Sequence, residues 1–112
     1  MTLHNYYSNS GRDLIFEYVN SLPVDERTDG FTVMKHMKKG EFDKIFFKRW
    51  EKKVYEVYFQ KSNRIFYITV DKENIYLLHA CRKQKNKTEK TDADIVRKRA
   101  KELGKELGKK FI

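Results

Sequence analysis

The residues able to do chemistry crowd into one stretch of the chain. From Arg64 to Thr91, two apolar runs are followed by a basic segment: the second run ends Leu77-Leu78-His79-Ala80-Cys81, and then comes Arg82-Lys83-Gln84-Lys85-Asn86-Lys87-Thr88-Glu89-Lys90. Two strands joined by a short turn lie antiparallel, which puts Arg64, at the start of the first, beside Arg82 and Lys83, at the end of the second. A planar guanidinium at Arg64 can hold a phosphate bidentately, while Lys83 and Lys87 would serve as mobile point charges. An imidazole with an unperturbed pKa of about 6.5 can give or take a proton near neutrality, so His79 is the candidate proton-transfer group. Glu56 and Tyr67 are lesser candidates. Strand alternation puts His79, Cys81 and Lys83 on one face and Leu78, Ala80 and Arg82 on the other, which favours Lys83 over Arg82 unless a bulge at the rim exchanges them. A sheet rim of this kind is suited to phosphate.

Composition agrees with an anionic partner. The chain has 112 residues, with 25 Lys and Arg against 16 Asp and Glu, for a net charge of +9. From Arg82 to Lys110 there are 12 basic and five acidic residues, so this segment carries +7 of the total. Such a field favours nucleic acid or another polyanion. One domain is expected, burying roughly 65% of its unfolded surface. No apolar run approaches the roughly 18 residues of a membrane span and no signal-peptide pattern is present, so the expectation is a cytoplasmic protein with no membrane partner. The single cysteine, Cys81, fits a reducing compartment. His4, His36 and His79 are widely separated and no Cys or His pair has ligand spacing, so no metal or cofactor is expected.

The elements that must position these residues can be read from periodicity. Residues 3 to 7 suggest a short strand, and Ser10 with Asp13 forms a capping-box pattern ahead of a helix carrying Leu14, Ile15, Tyr18, Val19 and Leu22, stopped by Pro23. A second helix is expected from Asp25 to Lys39, with Phe31, Met34 and Met37 inward and Gly40 as its stop. Segments 53 to 60, 64 to 70 and 75 to 82 are rich in Val, Ile, Tyr and Phe and read as three antiparallel strands. Thr91 should cap a last helix with Asp92 and Asp94 in its first turn and Val96, Ala100, Leu103 and Leu107 as its apolar stripe. Trp50 reads as a core anchor. The expected architecture is α+β: an antiparallel sheet of about four strands with two helices on one face and a C-terminal helix. Residues 1–107 would form the domain and 108–112 a loose basic tail.

These elements and motifs resemble a known family. Gly11-Arg12-Asp13 through Tyr18 and Leu22, then Tyr55-Glu56-Val57, Asn63-Arg64-Ile65-Phe66-Tyr67, Leu77-Leu78-His79 and the Lys83, Lys87, Thr88 loop occur in the order seen in RelE/ParE-superfamily toxins, nearest to their HigB-like, phage-derived branch. The chain departs from that pattern at Tyr58, where the family often has Arg, at Cys81, where it often has Phe, and at Glu89, where Pro is common. The resemblance implies a RelE-like fold and a type II toxin that cuts mRNA on the ribosome without a metal. It also implies a cognate antitoxin, a helix-turn-helix protein of the HigA kind.

Metal-free RNA cleavage uses the 2′-hydroxyl as nucleophile, so the protein must take one proton, give another and stabilise added negative charge. Arg64, His79, Lys83 and Lys87 are the candidates for that work. Arg82, Lys85, Lys90, Arg97, Tyr67 and Glu56 are the candidate RNA contacts. Two other readings stay open: a ParE-like toxin that acts on DNA gyrase, and an inactive relative that binds RNA without cutting it.

Overall fold

The structure, a computed structural model, describes residues 1–83 and 88–112. Its elements are β1 (Thr2–Asn5), α1 (Leu14–Asn20), α2 (Val24–Lys38), a 3-10 turn (Phe42–Lys44), β2 (Phe46–Glu51), β3 (Val54–Phe59), β4 (Asn63–Thr69), β5 (Asn74–Arg82) and α3 (Lys90–Leu107). Among the described residues the strands form one sheet in the order β1-β5-β4-β3-β2. The α+β class holds, with two differences from the expected sheet. There are five strands, and β1 pairs with β5 in parallel, Leu3 opposite Ile75. That partner lies some 70 residues away, and a parallel pair needs a long crossover, so local pattern could not reveal it. The strand missed altogether is β2, whose first four residues are exposed, so Phe46-Phe47-Lys48-Arg49 shows no inside-outside alternation.

The sheet is covered on both sides. One face carries Val57, Phe59, Ile65, Tyr67, Ile75 and Leu77 against Ile15 and Val19 of α1 and Val33 and Met37 of α2. The other carries Val54, Phe66, Ile68, Leu78 and Cys81 against Val96, Ala100 and Leu103 of α3. The central strand β4 is therefore buried along Asn63 to Ile68. Each fully buried aliphatic or aromatic side chain here contributes about 1.5–3 kcal/mol. Gly30, in the middle of α2, is there for space: a Cβ would stand 2.8 Å from Val19 Cγ1 and 2.9 Å from the Phe59 ring. Close approach of α2 to α1 and β3 offsets the roughly 1 kcal/mol helix penalty of glycine.

Several local expectations change. Asp13, not Ser10, caps α1, its Oδ1 accepting from the Phe16 amide at 2.9 Å; Ser10 bonds to Ser8 instead. α3 begins two residues earlier than expected, with Glu89 rather than Thr91 at the cap position and no side-chain cap bond. Asp92 has another partner, described below. Nor are residues 108–112 a loose tail. Phe111 is buried in the α3-side core, and its carbonyl accepts from the Lys53 amide at 3.2 Å. The return is made possible by Gly104, where a Cβ would lie 2.5 Å from the Lys109 carbonyl oxygen.

The β3–β4 turn holds two non-glycine residues in the left-handed region, Lys61 and Ser62, both at φ 63°. Two consecutive positive φ values are best met by Asn and Gly, as in type I′ turns. Replacing Lys61 with Asn and Ser62 with Gly should therefore raise unfolding free energy by about 1–2 kcal/mol. A shift of the urea midpoint at unchanged slope would measure it.

Candidate functional site

Strand register builds the site on the α3 side. One cross-strand row runs Phe46, Tyr58, Arg64, Cys81; the next runs Lys48, Glu56, Phe66, His79. Side chains in such rows stand about 4.5–5.5 Å apart and share a face. A bulge at Leu78 lies between the pairs Phe66–His79 and Tyr67–Leu77, after which alternation resumes. Lys83, not Arg82, thus follows His79 and Cys81 on this side.

Arg64 is the centre of the arrangement. Its side chain is only 2% exposed, and one nitrogen donates to Glu56 Oε2 at 3.2 Å and Thr88 Oγ1 at 2.9 Å. Nε and the second terminal nitrogen are buried without a partner among the described residues. An ionised group with buried, unpaired donors is costly, so the guanidinium suits an acceptor beyond those that the described residues supply. It sits at the floor of a cleft of about 250 Å³ lined also by Lys48, Trp50, Glu56, Lys83 and Thr88. Thr88 Oγ1 also accepts from Trp50 Nε1 at 3.1 Å, which fixes Thr88 beside the cleft.

Glu56 lies under the same cleft, 1% exposed, and Tyr58 donates its hydroxyl to Glu56 Oε1. Lys48 Nζ is 3.9 Å from that oxygen. Burial raises the Glu56 pKa, while Arg64, Lys48 and Lys83 pull it back down. Lys83 is shifted downward by desolvation and by the neighbouring cations Arg64 and Lys48. A carboxylate raised and an amine lowered toward neutrality form a pair able to exchange protons with a bound anion.

His79 lies outside this group. Phe66 stands between it and Glu56 in the row, with the two rings stacked at 6.4 Å. Its Nε2 meets Asp92 Oδ1 at 2.8 Å, and Arg99 lies 3.4 Å from its Nδ1. Burial lowers the imidazole pKa despite the Asp92 bond. The ring is a clamp between β5 and the first turn of α3, and it does not line the cleft. Cys81 Sγ, His79 and Asp92 bring their donor atoms within 4.8 Å of one another. Burial pushes the thiol up to about 12, and the Arg99 charge opposes a cation beside the imidazole.

A depressed imidazole pKa implies a signed pH effect. His79 is neutral in the fold, so its contribution is present above the unfolded pKa of about 6.5 and is lost as pH falls through the lower folded value. Replacing His79 with Gln should flatten that acid limb of stability, read as denaturation midpoints from pH 7 downward; an unchanged limb would place the titration elsewhere.

The other expected contacts divide. Arg82 faces the opposite side, bound to Glu26 at 2.6 Å and to the Lys61 carbonyl at 3.0 Å. Tyr67 is also on that side, 2% exposed in the core with α1 and α2, and burial raises its pKa. Neither reaches the cleft. Arg97 spends its guanidinium on Glu51, with two bonds of 2.9 Å, and covers the Trp50 ring at 5.2 Å. Lys90 is exposed and pairs with Asp94 at 3.1 Å. Lys85 and Lys87 lie outside the described residues. The residues that sequence reasoning missed are Lys48, on the unread strand, and Thr88 and Trp50, which had been quoted only as a motif residue and a core anchor. Once β2 is known, alternation finds Lys48 and Trp50.

Residues 17–101 match the family described as Phage derived protein Gp49-like (DUF891). The chain belongs to this family. It is a family of the RelE toxin type, associated with the toxins of toxin–antitoxin systems, which implies an antitoxin partner. No curated protein matches the chain. None of the helices of this Gp49-like protein, among the described residues, is long and apolar enough to cross a membrane.

Proposed function

We propose that this Gp49-like protein is the HigB-like toxin of a type II toxin–antitoxin pair and cuts mRNA on the ribosome without a metal. The observation that supports it is Arg64, buried at the floor of a cationic cleft with two donors lacking an acceptor among the described residues. A phosphodiester is the kind of acceptor that suits this group, because its two non-bridging oxygens match the guanidinium fork. In the proposed reaction Glu56 takes the proton of the 2′-hydroxyl, whose oxygen bonds to the adjacent phosphorus. The 5′-oxygen leaves with a proton from Lys83, giving a 2′,3′-cyclic phosphate and a 5′-hydroxyl. Arg64 and Lys48 bear the charge gathered on the five-coordinate phosphorus. Glu56 takes the proton-transfer role that residue type had suggested for His79, since it lines the cleft and the imidazole does not. The Tyr58 hydroxyl, where related toxins often have Arg, holds the Glu56 carboxyl in place.

Primer extension on mRNA shortly after induction tests this reading. Defined cuts that vanish on replacing Lys83 with Ala are expected. Growth arrest with intact transcripts and inhibited gyrase supercoiling would favour the ParE-like reading instead. Ribosome binding with whole transcripts and no arrest would leave a non-cutting RNA binder.

A further inference from the structure

A concavity of about 1030 Å³ opens beside the edge strand β2, on the sheet face that carries Phe47, Tyr55 and Tyr67, away from the cleft of Arg64. Its apolar floor includes Phe42, Phe47 and Tyr55, with Phe47 at 5.6 Å from the Phe42 ring and 6.4 Å from that of Tyr55. Arg49, Lys52, Lys53 and Lys110 contribute to the lining, and none of the lining side chains is acidic. β2 ends the sheet, so among the described residues its outer backbone groups have no strand partner. Phe46 and Phe47, side by side on it, are 81% and 44% exposed. An open edge with exposed phenylalanines next to an apolar groove is a template for strand addition.

We infer that β2 and this groove bind an extended acidic segment of a partner protein, which adds as a sixth strand, places apolar side chains over Phe47 and brings its acids to the groove cations Arg49, Lys52, Lys53 and Lys110. Charge selects the occupant. A second copy of this chain would bring +9 and the same cations to the groove, whereas an acidic segment is complementary to all four of them. Because β2 has one face on the groove and the other beside the cleft, a single added strand reaches both. Identifying the segment as part of the antitoxin rests on the toxin reading above; the docking chemistry does not.

The probe is a fluorescein-labelled synthetic peptide alternating isoleucine and glutamate, titrated into the full chain by anisotropy, with amide hydrogen exchange of residues 46–51 followed at saturation. The acidic peptide should bind, should slow exchange in β2 and should weaken by more than about tenfold when Lys52→Glu and Lys53→Glu are combined or when its central residue is proline. Both lysines are exposed at the β2–β3 turn, so the variant should fold. Equal binding of an isoleucine-lysine peptide, unchanged binding to the double variant, absence of β2 protection or absence of binding would each overturn the inference. A dimer of the free protein with β2 already protected would overturn it in favour of a second copy. RNA cleavage is not scored, so failure of the nuclease reading leaves these results intact, and failed docking alongside intact cleavage rejects the groove alone.

Discussion

Replacing Arg64 with Met should slow mRNA cleavage by about 10²–10³-fold, the loss typical of removing one preorganised donor to a developing oxyanion. The size follows from where the guanidinium sits. Its side chain is 2% exposed, the cation lies over the Tyr58 ring at 5.2 Å and the Phe66 ring at 5.6 Å, and two of its donors have no partner among the described residues. Such a group has little reorganisation left to do as charge builds on phosphorus. Arg64→Lys keeps the charge but loses the fork, so it should fall between the wild type and Arg64→Met. Single-turnover cleavage on programmed ribosomes reads both. A folded Arg64→Met variant that cuts at the wild-type rate would remove Arg64 from the reaction, and with it the observation on which the toxin mechanism is built.

The parts of this site that were legible in the sequence are those fixed by local rules. Arg64 and Lys83 meet because a hairpin must bring a strand start beside its partner's end, and Lys83 rather than Arg82 faces inward because alternation survives the Leu78 bulge. Four of the strands, both N-terminal helices and α3 follow from turn residues and apolar spacing. What was not legible depended on long-range partners. The parallel β1–β5 pair leaves no periodic trace, and β2 is an edge whose burial is set by what lies beyond it. Missing β2 hid Lys48. His79 was favoured because imidazole titrates near neutrality, but residue type carries no information about Phe66 standing between it and the cleft or about Asp92 taking its Nε2. Tyr67 failed for a related reason: alternation along β4 separates it from Arg64 by an odd number of steps, which puts it on the α1–α2 face.

Removing Glu56 should cost the fold more than removing Arg64. Glu56→Ala leaves a buried guanidinium with its counter-charge gone, and arginine cannot shed its proton, so a loss of about 3–5 kcal/mol is expected. Arg64→Met leaves a buried carboxyl that can neutralise itself, since burial already raises its pKa and the opposing pull of Arg64 is lost. The sign of the pH effect follows. A group whose folded pKa is raised favours the fold fully below its unfolded value, about 4.3, and loses that contribution as pH rises through the folded one. The Arg64→Met variant should therefore approach wild-type stability in mild acid and fall behind it toward neutral pH, whereas Glu56→Ala should remain weak at every pH. Combining Glu56→Ala with Arg64→Met removes both charges and should recover much of the single-variant loss, a coupling that denaturation of all four proteins would measure. Additive losses in that cycle would mean that Glu56 and Arg64 do not depend on each other. The cleft would then lack the charged floor on which the proposed contact of Arg64 with a phosphate rests.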